Sequence, residues 1–143
     1  MFKASVVVYG GRDFNNERVV FKFLDKLHAK YEFDFVIAGG ADGADKLAIA
    51  WAKSRKIRFK EEPADWTNLE AKPCVVKYRR DGQAYNALAG PARNQLMLDK
   101  YKPMYAVEFP GGTGTKDMHQ RVALKLAFGL MEKLITIKAK RKS

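Results

Sequence analysis

The chain has 143 residues, 47% hydrophobic and 30% charged, a balance that suits a single globular domain with a buried core and excludes a disordered polymer. No apolar run approaches the roughly 20 residues a membrane-spanning helix needs. The formal net charge of +11 is shared out unevenly: the last six residues, KAKRKS, carry four positive charges and leave +7 on the rest.

Such a surface attracts polyanions or anionic small molecules, while a terminal charge run is commonly a solvated tail. Residues 1–137 therefore read as one domain and residues 138–143 as a basic tail. The start, MFKASVVVYGGRDF, passes from a brief apolar stretch into a glycine motif, so no signal peptide is read there. Cys74 is alone, cannot form an internal disulfide, and fits a cytoplasmic setting.

In chain order, SVVVY (5–9) is a β-branched run of strand length. GGRDFNN follows, then a helical pattern to about Lys30 with Val19, Val20, Phe23, Leu24 and Leu27 on one face and Asn15 or Asn16 as its cap. FDFVIA (33–38) is a second strand ending in GGADGAD, after which Ala44, Leu47, Ala48 and Trp51 fall at helical spacing. IRFKEE (57–62) is a weaker third strand leading to PADW. Residues 67–88 are less regular, with CVVKY a candidate strand and Asp81-Gly82 a turn. AGPARN (89–94) opens a helix with Pro91 in its first turn. MYAVEF (104–109) is the fourth main strand, PGGTGT leads into a helix to about Glu132, and LITIK (134–138) closes the sheet.

Strands separated by helices imply parallel pairing and helices on both faces. The predicted fold is α/β, a Rossmann-like open and mainly parallel sheet. GGRDF, GGADGAD, PADW and PGGTGT each follow a strand, so all four turns should gather at the carboxyl edge of the sheet, where ligands bind.

The turns suggest what binds. Gly111, Gly112 and Gly114 are expected to allow positive φ and close backbone approach, with Thr113 and Thr115 adding hydroxyls at a helix start whose N–H groups favour anions. The alternative is a tight turn with Thr115 as N-cap. Gly10, Gly11, Gly39 and Gly40 offer close approach elsewhere, and Arg12 offers a phosphate partner. Asp13 suits a ligand hydroxyl or a turn bond, and Asp45 a helix cap or a ribose hydroxyl. Arg93, with Asn94 beside it, sits near a helix start where a cation opposes the dipole, which points to an anionic partner or a surface ion pair. Trp66 suits base stacking or the core edge, and Asp65 a hydroxyl or a proton.

Other chemistries are excluded. The glycine spacing fits neither a P-loop nor a dinucleotide fingerprint. No serine stands in a nucleophile elbow. One cysteine and two distant histidines, His28 and His119, make no metal cluster, and no cofactor is read. His28 borders an apolar face and reads as structural. His119, one turn into the last helix, is a weak candidate for facing ligand.

GGRDF, GGADGADKLAIAWA, PADW, AGPARN and FPGGTGT, in that order over most of residues 5–130, resemble the SLOG superfamily, specifically its YspA-like branch. The resemblance implies a Rossmann-like domain binding nucleotides or nucleotide-derived ligands at the glycine-rich edge, and it suggests a homo-oligomer. Lonely Guy phosphoribohydrolases are distant relatives with the pattern PGGxGTxxE and a separate arginine. PGGTGT matches and Arg93 stands where that arginine would, but Met118 occupies the glutamate position. Residues 67–88 exceed the expected short PADW-to-AGP connection and suggest a lid or an oligomer contact.

Three readings follow. The first is a sensing or sequestering domain for a nucleotide-derived ligand. The second is an N-glycosidic-bond hydrolase of nucleotide or NAD-like substrates, with Asp13, Asp65 or Asp117 supplying the carboxylate and Arg12 or Arg93 holding phosphate. The third is nucleic-acid binding of the kind that the resemblance to the DNA-processing protein DprA suggests. No membrane partner is expected.

Overall fold

The computed structural model describes residues 2–139, so most of the basic tail lies outside the described residues. Five strands form the main sheet: β1 (Ser5–Tyr9), β2 (Phe35–Ala38), β3 (Arg58–Glu61), β6 (Tyr105–Glu108) and β7 (Lys133–Thr136). Two short strands, β4 (Val76–Tyr78) and β5 (Ala84–Asn86), pair in a separate antiparallel hairpin. The helices are α1 (Glu17–Tyr31), α2 (Ala44–Ser54), α3 (Ala89–Tyr101) and α4 (Thr113–Ala127).

The sheet order is β3-β2-β1-β6-β7, and every pairing within it is parallel. This is the predicted Rossmann-like α/β architecture. SVVVY takes the centre because all five of its residues can be buried. Its pleat sends Val6 and Val8 into the core beneath α1 and α2, and Val7 and Tyr9 into a second core with Met97, Leu98, Met118 and Val122 from α3 and α4. The outer strand β3 alternates Arg58 and Lys60 with Phe59 and stays largely exposed, a charged edge that resists further pairing. Asn16 caps α1 by accepting the Val19 N–H at 3.3 Å, as predicted.

Three local expectations are corrected. The last helix stops at Ala127, not near Glu132, because Gly129 turns the chain at φ 71° and Leu130 is exposed. Gly112 is its N-cap, so Thr115 lies inside the helix. Asp45 is not a cap either: Gly43, at φ 79°, precedes α2 and Asp45 is the second helical residue. No helix among the described residues is long and apolar enough to cross a membrane.

Chain direction sets where a site can form. From β1 the chain steps outward through β2 to β3, then returns to the other side of β1 for β6 and β7. The order therefore reverses between β1 and β6, and a crevice opens at the carboxyl ends of those two strands.

Candidate functional site

The turns after β1 and β6 meet in that crevice. The Gly11 N–H donates to the Pro110 carbonyl at 2.9 Å. A Cβ on Gly11 would fall 2.9 Å from the Gly111 Cα, and one on Gly111 would strike the Thr115 hydroxyl. These residues are glycine because two backbones touch there. The expected positive φ at Gly111, Gly112 and Gly114 is not found. Gly111 packs under the crevice and does not line it, whereas a Cβ on Gly112 or Gly114 would meet nothing within 4 Å. The first turn of α4 thus opens into the crevice with no side-chain cap and no acidic residue. An α-helix leaves its first N–H groups without internal acceptors, and these carry partial positive charge.

The turn after β2 places a buried acid and a half-buried cation side by side. Asp45 is 4% exposed; its Oδ2 accepts the Ala41 N–H at 3.2 Å, while its Oδ1 is buried without a hydrogen-bond partner. Burial pushes the Asp45 carboxyl up to about 6, against the pull of Arg93 and the Ala41 N–H. The Arg93 guanidinium donates to the Gly39 carbonyl, and to the Glu62 carbonyl at 3.3 Å, so it joins the ends of β2 and β3. A side chain at position 39 would occupy the guanidinium's place. Burial lowers the pKa of Arg93, Asp45 raises it, and the like charge of Arg12 lowers it again. Arg12 itself is exposed and makes no ion pair among the described residues.

Around these groups lies a cleft with two lobes. The inner lobe, about 700 Å³, is lined by Gly10, Gly11, Arg12, Asp13, Asp45, Asn94 and the 112–115 turn, among others. The outer lobe, about 670 Å³, is bounded by Gly39, Gly40 and Asp42 on one side and by Lys77, Arg79 and Tyr85 of the hairpin on the other. Arg12, Trp66 and Arg93 line both and form the waist between them. Trp66 packs against Gly90, where a Cβ would come within 2.7 Å of its ring, and meets Tyr85 edge-on at 6.3 Å.

Not every predicted residue reaches the cleft. Asp65 lines neither lobe: its carboxylate accepts the Thr67 N–H at 3.2 Å and the Thr67 hydroxyl at 2.7 Å, closing a local turn. Asn94 lines the inner lobe, but its amide donates to Asp117 at 3.0 Å and to the Gly114 carbonyl at 3.4 Å, tying α3 to α4. Burial pushes the Asp117 carboxyl up, yet hydrogen bonds from Arg121 and Asn94 outweigh that and hold it below its ordinary value. His119 lies off both lobes, with Nδ1 2.7 Å from the Glu108 carboxylate, which also accepts the Tyr9 hydroxyl at 2.7 Å. Burial together with Glu108 pushes the Tyr9 phenol pKa up. His28 packs between Phe33 and Trp51, away from the cleft. Met118 is 1% exposed and forms part of the inner wall.

Lys77, Arg79 and Tyr85 were not singled out from sequence. Their signal is a period of two: Lys77 in β4 and Arg79 just after it are two residues apart, Lys77 pairs directly with Tyr85, and all three line the outer lobe.

The fold and cleft define an open parallel α/β domain of Rossmann type, with glycine-rich turns and two arginines lining its carboxyl edge. Residues 4–68 match the family described as YspA, cpYpsA-related SLOG family, which supports the YspA-like branch of the SLOG superfamily. Among curated proteins no sequence matches the chain. The match suggests a nucleotide-related ligand, bound or processed, at most.

Proposed function

We propose that the cleft binds a nucleotide-derived ligand and that the domain senses or sequesters it without turnover. One observation carries this reading: Arg12 and Arg93 face the same cleft as the uncapped turn of α4, with no ion pair to either among the described residues. Two guanidiniums that repel each other beside free helix N–H groups are offset by a bound anion, and phosphate suits all three. The lone Oδ1 of Asp45 accepts a sugar hydroxyl, and Trp66 offers a face to a base. The absence of turnover rests on Met118, buried at the position of the hydrolases' glutamate, and on Asp117, held in its own hydrogen bonds.

The test is a melting screen of nucleosides and their 5′-phosphates with chromatography of the products. A ligand at 100 times its dissociation constant should stabilise the fold by about 2.7 kcal/mol. Nucleotides that raise the melting temperature and are recovered intact support the reading, provided the matching nucleosides have no such effect. Released base plus a sugar phosphate would replace it with an N-glycosidase, for which Asp13 and Asp45 are the cleft carboxylates to mutate. A protein indifferent to every nucleotide, yet binding oligonucleotides with steep salt dependence, would replace it with nucleic-acid binding.

A further inference from the structure

The hairpin carries a feature the inner lobe does not need. Lys77 and Arg79 face the outer lobe from β4 and the turn beyond it, and neither makes an ion pair among the described residues. The Arg79 guanidinium carbon lies 4.7 Å from the centre of the Tyr85 ring, and both residues line the lobe. With Arg12 and Arg93 at the waist, four cations surround this cavity, and Asp42 is the one carboxylate on its wall. A solvated surface mixes its signs; a concave wall of one sign concentrates counter-ions.

The hairpin is also held in place. Asn86, 3% exposed, donates its backbone N–H to the Trp66 carbonyl at 2.7 Å, and its side chain accepts the Leu88 N–H at 3.0 Å and donates to the Asn68 carbonyl at 3.2 Å. The Val75 carbonyl accepts the Ala87 N–H at 2.8 Å. These bonds fix the strands so that the alternating cations point at the cleft.

We propose that the outer lobe is a second anion subsite, so that the ligand carries phosphates at two ends of a nucleoside: a nucleoside bisphosphate or a short linear dinucleotide, and not a monophosphate. This rests on the reading of the cleft as a nucleotide site. One phosphate lies at the α4 turn beside Arg12; the nucleoside crosses the waist against Trp66; the second phosphate meets Lys77 and Arg79. A chain of adjacent phosphates, as in a diphosphate, keeps its charge in one lobe and gains less.

Calorimetry with adenosine and guanosine 5′-monophosphates, 5′-diphosphates, 3′,5′-bisphosphates and the linear dinucleotides pApA and pGpG tests this. The wild type is compared with the double variant Lys77→Ala/Arg79→Ala and with Arg80→Ala, which removes a hairpin charge that faces neither lobe. In the wild type a bisphosphate or dinucleotide should bind at least about tenfold tighter than the monophosphate, one tenfold step being about 1.4 kcal/mol. The double variant should abolish that advantage and leave monophosphate affinity within twofold, while Arg80→Ala changes neither. Bisphosphate or dinucleotide gaining alone says which of the two the waist accommodates. Monophosphate binding without any advantage for the longer ligands would overturn the second subsite and leave the nucleotide reading standing. Equal weakening of all ligands in the double variant would also overturn it, since that is a general field effect. If no nucleotide binds, both readings fall together.

Discussion

Gly114 offers a substitution whose effects on fold and ligand have opposite signs. It is the second residue of α4, and a Cβ there meets nothing within 4 Å, so Gly114→Asp fits without strain. Replacing a helical glycine gains a few tenths of a kcal/mol, and an acid in the first turn gains about 0.3–1 from the helix dipole. The free protein should therefore become more stable by about 0.5–1.5 kcal/mol, a rise of about 2–5 °C in melting temperature for a domain of this size. The same carboxylate would stand where a ligand phosphate is expected. At about 4 Å and an effective dielectric constant of about 20, two unit charges repel by about 4 kcal/mol. If side-chain rotation relieves about a third of that, affinity still falls about 100-fold. A ligand concentration that stabilised the wild type by about 2.7 kcal/mol would then stabilise the variant by only about 0.4. Differential scanning calorimetry with and without ligand reads both signs in one experiment. A variant that keeps the full ligand-induced shift would refute the phosphate cradle at α4. One that melts lower without ligand would refute the assignment of an open, uncapped helix start.

Two further outcomes are expected. Asp45 titrates near 6 in the fold against an ordinary 3.8, so its contribution to stability is fully present below about pH 4 and lost as pH rises through 6. The stability of Asp45→Asn relative to wild type should therefore improve between pH 4 and pH 7.5, by at most about 3 kcal/mol for a two-unit shift; urea melts showing a constant difference would contradict the buried, unpaired carboxyl. Met118→Glu should lower stability by about 3 kcal/mol or more at pH 7, since it buries a charge among Val7, Tyr9 and Val122, and it should release no base from any nucleotide. Met118→Leu should cost under about 1.5 kcal/mol, and a stable, active glutamate variant would show that the inner wall can open.

The sequence announced the sheet where burial demands it and fell silent where local geometry decides. SVVVY and FVIA read as strands because central parallel strands are covered on both faces and need uninterrupted apolar side chains. The glycine-rich turns read as one site because parallel direction sends them all to one edge. The end of α4 is hidden in the sequence because Leu126 and Leu130 continue a helical spacing, while the left-handed Gly129 between them stops the helix. Asp65 suits a ligand hydroxyl or a proton by its place beside Trp66, yet Asp two residues before Thr is also the pattern of a self-contained turn, and the turn is what forms. For Asp45, GADGAD leaves two acids equally placed to cap, and only the fold shows that one is buried without a cap to make. Strands β4 and β5 are three residues each, too short for a period to register, so the face that carries Lys77 beside Tyr85 is not legible in the sequence.

The anchoring of that hairpin bears on how such domains diversify. Through Asn86, the carbonyl of Trp66 and the N–H of Leu88 are tied to one residue, so the excursion that leaves the domain after PADW returns to nearly the same point. A segment whose ends are already joined can lengthen, shorten or change its residues without moving the strands beneath, because each doubling of loop length costs only about 0.6 kcal/mol. The excursion is therefore an exchangeable cassette. Mutation there can reshape the outer lobe while the glycine turns beneath stay as they are.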